Sequence, residues 1–482
     1  MQFGLERAKS GQERFWVIYN THIAALQKGL NVDYGRIDTI QIEIPKNAET
    51  IPLPEHTNFG NAVIVVKNKT KNYTLFSLHN ALENYTTNID CIEKKRKVQE
   101  DGEFIVIIED EKPWVENRRG YSYGHMRKDI VYVNNGKVNG SLVASYMTEE
   151  SKPKFSRSFV TGSPKCIQNL TVIRDSLSTY KTFIFKIENQ YNVKFNNLTI
   201  FTPPNIWYGD VAVKIDNCYK VHIENTTING TYSEVDNYGY GISMNNVQDV
   251  SIKNLKARAE WGIFGNNNVN NVRLDDSDIN RFDVHCYGKD VKFEKCTFRD
   301  LYNQFSSMYG TISFKNCRFI DFTPVLFESS YNAYTKFDLR FKNCTVEAGE
   351  KRRYLISGGG LNGDKTKNRK ELSQQEYPNL YIDGLKVYMP DNVDSYSIYN
   401  FNRRILQWPK DSIPGIKRIR KFELIPSKKL LVSNMNTLVE IPQKWKFPLT
   451  ITGGGGIMMV CGGFFFFKKR KRKCEKVKKN LE

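Results

Sequence analysis

The stretch Val193-Lys-Phe-Asn-Asn-Leu-Thr-Ile200 is the first of eight copies of one short frame. The frame reads apolar, any, apolar, any, usually Asn, then apolar or small, any, apolar. The other copies begin at Val221, Val250, Val272, Val291, Ile312, Leu339 and Leu380. Each holds two short alternating segments, and a period of two marks a strand with one buried face. The residue between them breaks the alternation: Asn197, Asn225, Asn254, Asp276, Lys295, Asn316, Asn343 and Gly384. All but Lys295 are Asn, Asp or Gly, which tolerate a left-handed backbone at least cost. A fixed bend between two strands, repeated along a chain, predicts a coil of β-strands rather than a sheet of hairpins.

Successive frames start 28, 29, 22, 19, 21, 27 and 41 residues apart. The short values approach a bare turn of the coil, so the excess must be loops, chiefly 201–211, 229–240 and 349–378. Loops on a rigid solenoid usually shape a binding groove. Cys296, Cys317 and Cys344 fall where other copies have Leu198, Leu255 and Leu385. They therefore read as a buried ladder of small hydrophobes rather than a disulfide or a metal site, since no C-x-x-C spacing is present.

Outward from the repeat, residues 12–30 have helical apolar spacing, and Ile40-Gln-Ile-Glu-Ile44-Pro and 61–66 are strand-like. The helix and the first strand would close the open end of the coil, whose bare edge invites aggregation. The expected division is 1–60 helix and cap, 61–165 irregular early coils or an inserted lobe, 166–400 regular coil and 401–448 closing segment. The remainder, 449–482, is an apolar and basic tail. In that tail, 449–467 is nineteen residues without charge followed by KKRKRK, a pattern that matches a membrane stop-transfer segment. Its Gly and Phe runs equally fit a low-complexity end. Membrane or cell-wall anchoring through 449–482 therefore stays open, the Leu-Pro-x-Thr-Gly sorting signal being absent. The start, MQFGLERAKS, shows no signal peptide.

The chain of 482 residues carries a formal charge of +19, but nine Lys/Arg against two Glu in 468–482 account for +7 of it. The rest is diffuse and favours acidic partners. No short nucleic-acid motif accompanies it, which argues against nucleic acid as the partner.

The bend asparagines, together with Asn20-Thr-His-Ile-Ala-Ala-Leu-Gln27 and the Ile-Pro strand, resemble the asparagine ladder and N-terminal cap of the pectate-lyase-like superfamily. The resemblance covers roughly residues 12–400. It implies an all-β fold, a right-handed parallel β-helix with an N-terminal capping helix. It also implies a carbohydrate-active or glycan-binding protein of extracellular or cell-surface, bacterial type. The superfamily spans lyases, hydrolases, epimerases, tailspikes and adhesins, so the fold does not select a reaction. The polygalacturonase set Asn-Thr-Asp, Asp-Asp, Gly-His-Gly is not found, and Asp276 of the lone Asp275-Asp276 pair occupies a bend. The calcium pectate lyase signature Trp-Ile-Asp-His is missing too. No cofactor is required by the sequence; calcium is conceivable but unsupported, and no metal ligands are named.

One strand is left unexplained by the repeat: Arg281-Phe-Asp-Val-His-Cys-Tyr287. Alternation puts Phe282, Val284 and Cys286 inside and Arg281, Asp283, His285 and Tyr287 outside. Arg281 could neutralise a uronate, His285 or Tyr287 could move its proton, and Asp283 could orient either. The preceding rung would add Glu260, Trp261 and Phe264, with an aromatic ring to stack on a sugar; the following rungs would add Gln304, Ser306 and Glu328. The loop Arg118-Arg-Gly-Tyr-Ser-Tyr-Gly-His125, with Arg119 and His125, is a second candidate that could reach over the groove. The expected activity is cleavage of an acidic, uronate-containing polysaccharide, by β-elimination or by hydrolysis with Asp283 paired to Glu260 or Glu328. The alternative is a non-catalytic surface or tailspike-like β-helix that binds a cell-surface glycan.

Overall fold

The computed structural model describes residues 4–115, 125–149, 151–202, 211–230, 240–258, 262–306, 308–327, 337–358, 378–401, 416–433, 459–460 and 463–464. Its main body is one parallel sheet wound into a right-handed β-helix, as the resemblance implies. Equivalent positions of successive coils lie in register. Ile167, Phe195, Ile223, Ile252, Leu274, Phe293, Phe314, Phe341, Ile382 and Ile419 form one unbroken inward column. All are buried in a single continuous core.

The bends explain the coil. All eight predicted bend residues have positive φ, from 48° at Asp276 to 87° at Gly384. Asn side chains then satisfy one another from coil to coil: Asn197 Nδ2 donates to Asn169 Oδ1 (2.8 Å) and Asn254 Nδ2 to Asn225 Oδ1 (2.9 Å). A second left-handed ladder runs through Asn189, Asn217, Asn246 and Asn268, again hydrogen-bonded where Asn217 reaches Asn189 (3.1 Å) and Asn246 reaches Asn217 (3.0 Å). Cys296, Cys317 and Cys344 are buried free thiols in the core.

The helix Gly11–Gln27 starts at Ser10, whose side chain accepts from the Glu13 N–H at 3.1 Å, a capping contact that satisfies one of the helix's free donors. Phe15, Ile18, His22 and Ala25 form its buried face at helical spacing, and it covers the first coil. His22 is held by the Pro52 carbonyl (3.0 Å at Nδ1) and the Tyr34 hydroxyl (2.9 Å at Nε2).

Two boundaries differ from expectation. His56–Lys67 already belongs to a regular coil, because it pairs directly with Lys165–Arg174. The inserted lobe lies between: strands Glu83–Asn84, Glu103–Val115, His125–Asn134, Lys137–Asn139 and Pro153–Phe159 form an antiparallel sheet. One face of that sheet builds its own core, while Ile105, Ile107, Ile130 and Tyr132 pack on the coil. There the Tyr132 and Tyr191 rings stack at 3.9 Å. At the other end the coil does not stop near residue 400. Ile416–Ile425 continues the stack on Asn379–Tyr388, with Lys421 at the bend (φ 51°), and Lys429–Ser433 pairs with Ser395–Phe401. Lys421, like Lys295, shows that lysine also occupies the bend, which hid this rung from a search for Asn. Most of 449–482 lies outside the described residues, and among those described no helix is long and apolar enough to cross a membrane.

Two buried groups give opposite pH responses. Burial holds the His22 pKa down to about 4, the Pro52 contact pulling the other way. An unfolded histidine titrates near ~6.5, so the stability His22 contributes is present above that pH and lost as pH falls toward about 4. In the lobe, burial pushes Asp129 up to about 7 against the opposing pulls of the Val143 N–H, Arg127, Tyr146 and Lys289. An unfolded aspartate titrates near ~3.9; Asp129 therefore contributes stability fully present below that value and lost as pH rises through about 7. Hydrogen exchange, corrected for intrinsic rates, should weaken protection in the helix and strengthen it in the lobe sheet between pH ~7 and ~4. The two trends should disappear separately in His22→Gln and Asp129→Asn; trends of the same sign would contradict these assignments.

Candidate functional site

The strand Phe282–Glu294 is clamped between Gly262–Asp275 and the two strands Tyr302–Phe305 and Met308–Lys315. Phe282 and Val284 point into the core, as alternation requires. Between Val284 and Cys286 the register shifts against Asn266 and Asn267, so His285 is the extra residue of a bulge. Bulges re-aim a side chain and break alternation.

Arg281 and Asp283 leave the core but are not offered to solvent; they are 3% and 0% exposed. They form a two-point pair, Nε to Oδ1 at 2.7 Å and a terminal guanidinium nitrogen to Oδ2 at 2.7 Å. The guanidinium also donates to Gln304 Oε1 (3.0 Å) and lies 4.5 Å over the Tyr302 ring. Burial disfavours its charge, but Asp283 more than offsets that, with Tyr302 and Tyr240 adding, and the Arg281 pKa is raised. A guanidinium so committed is not the uronate clamp expected of it. Gln304 is likewise engaged on Arg281 rather than open to substrate.

His285 is the member that reaches the surface, its side chain 13% exposed. Its Nε2 lies 3.1 Å from the Tyr240 hydroxyl and 3.6 Å from Asp283 Oδ2. The chain of groups is thus Arg281, Asp283, His285, Tyr240, running from a fixed charge in the interior to a proton-carrying pair at its edge. Tyr240 opens the strand Tyr240–Arg258, two coils before His285.

Several expectations are corrected. Tyr287 does not share the outward row: past the bulge it takes the corner position of the second ladder (φ 57°) and is 1% exposed. A bulky residue there is strained, and burial removes it as a candidate base. Phe264 is fully buried, its ring 4.9 Å from Phe282, because it occupies an inward position and cannot stack on a sugar. Ser306 is fully buried behind the strand, its N–H donating to the Val284 carbonyl (2.9 Å). Glu260, Trp261, Glu328 and Arg119 lie outside the described residues. His125 begins a lobe strand opposite Val115. No three His, Cys, Asp or Glu side chains converge among the described residues, and no metal ligands are assigned.

No protein-family profile matches the chain, and no curated protein matches it. Among solved structures it is similar to the tailspike protein gp49 from Pseudomonas phage LKA1, at 13% identity and TM-score 0.49 over 90% of this chain and 78% of that one. It is similar also to PfbA, a surface adhesin of Streptococcus pneumoniae, at 9% identity and TM-score 0.40 over 93% and 96% of the two chains. A third is the A-module of the Azotobacter vinelandii mannuronan C-5 epimerase AlgE4, at 10% identity and TM-score 0.28 over 83% and 99%. Likenesses this distant carry nothing about function, which rests on the site.

Proposed function

We propose that the chain is a carbohydrate-active β-helix protein, acting outside the cell or on a surface, that cleaves an acidic polysaccharide by β-elimination. The observation that carries this reading is the Tyr240–His285 contact of 3.1 Å. Elimination needs a base to take the proton beside the uronate carboxylate and an acid to protonate the departing glycosidic oxygen. The C–H electron pair becomes the new carbon–carbon double bond as the neighbouring carbon–oxygen bond breaks. An imidazole and a phenol in direct contact can do both from one face of the sugar: His285 takes the proton and Tyr240 gives one to the leaving oxygen. Asp283 orients the imidazole, and Arg281 holds Asp283 in place. Hydrolysis would need a second carboxyl group at a set distance, whereas Asp283 is committed to Arg281, accepting from Nε at Oδ1 and ion-paired at Oδ2. The diffuse positive charge beyond the tail suits an acidic polymer.

The test is incubation of the full chain with a panel of uronate polymers, following ultraviolet absorbance of unsaturated ends and, separately, new reducing ends. Unsaturated ends support the proposal. Reducing ends without unsaturation would mean hydrolysis, and binding without either would mean a non-catalytic glycan binder.

A further inference from the structure

Tyr240 and His285 belong to coils that are not neighbours. Tyr240–Arg258 pairs with Gly262–Asp275, and it is Gly262–Asp275, not Tyr240–Arg258, that pairs with Phe282–Glu294. Successive coils stand about 4.8 Å apart, so the two side chains meet across a whole intervening coil. The position crossed is Gly265, stacked between Ser243 and Asp283. A Cβ placed on Gly265 would lie 2.5 Å from Cδ2 and Cε2 of the Tyr240 ring and 2.7 Å from its Cγ. A ring is rigid, so it could yield only by swinging away as a unit. In the same strand, a Cβ on Gly262 would lie 2.7 Å from Cδ of Arg281. Neither glycine has positive φ, so the backbone conformation does not require them. What each supplies is the absence of a side chain, and glycine inside a strand often marks such a close approach.

We propose that Gly265 is a positioning residue of the Tyr240–His285 pair: its missing side chain lets Tyr240 cross one coil and reach the imidazole, while Gly262 clears the stem of Arg281. The importance of this rests on the proposed function, but its test reads the pair itself and not turnover, so either can fail alone. The full chain is prepared with isotope-labelled histidine nitrogens and the His285 resonance is assigned by its loss in His285→Ala. Tyr240→Phe removes the hydroxyl and displaces the Nε2 resonance. Gly265→Ala should displace it in the same direction and by a similar amount, and the double variant should go no further. A wild-type resonance in Gly265→Ala, or displacements that add, would overturn the proposal. If Gly265→Ala does not fold, adding Tyr240→Ala removes the ring that clashes and should restore folding. A double variant that stays unfolded would also overturn it, because the glycine would then serve something other than Tyr240.

Discussion

His285→Ala should lower turnover of the acidic polymer roughly a hundred- to ten-thousand-fold, the range that general acid–base groups contribute, while thermal stability hardly changes. The imidazole is at the edge of the site, where among the described residues it is hydrogen-bonded to Tyr240 and in a longer contact with Asp283. Each such bond is worth about 1 kcal/mol net. Arg281 and Asp283 keep each other and Gln304 when the imidazole goes, so no buried charge is stranded. Steady-state kinetics and a melting curve on the same preparation check both halves. A strongly destabilised variant would make His285 structural, and unchanged turnover would remove it from the chemistry.

Phe293→Ala should cost about 3–5 kcal/mol, the usual range for removing a buried aromatic ring. Its ring is 4.8 Å from Phe314 and parallel to it, 5.2 Å from Phe282 and 5.3 Å from Phe298. The residue is 1% exposed. In a solenoid each coil leans on its two neighbours, and Phe293 stands in the column between Leu274 of the coil before and Phe314 of the coil after. Chemical denaturation should show a lower midpoint. A loss under about 1.5 kcal/mol would mean that the column collapses around the gap, since the cost depends on how well the site closes.

The coil was legible because its cause is local: Asn, Asp or Gly at a fixed place between alternating segments. The helix over the first coil and the thiol ladder followed from spacing alone. The site was only half legible. Its strand was identified by Asp283 and His285, but a one-residue bulge leaves no mark in sequence, and so Tyr287 was placed on the wrong side. Arg281 and Asp283 were read as exposed because what covers them, Tyr302 and Gln304, comes from the next coil. Tyr240 was missed because it stands 45 residues before His285 and reaches it only over Gly265. The signal that was there is the pair Gly262 and Gly265 in one strand, two absent side chains where the paired positions are Tyr240, Ser243 and Asp283.

The most direct measurement is the fate of water oxygen during cleavage of a uronate polymer. In water enriched with heavy oxygen, with products reduced at once to stop anomeric exchange, β-elimination at Tyr240 and His285 predicts unsaturated ends and unlabelled new reducing ends, from the wild type but not from His285→Ala or Tyr240→Phe. Saturated, labelled ends would contradict it.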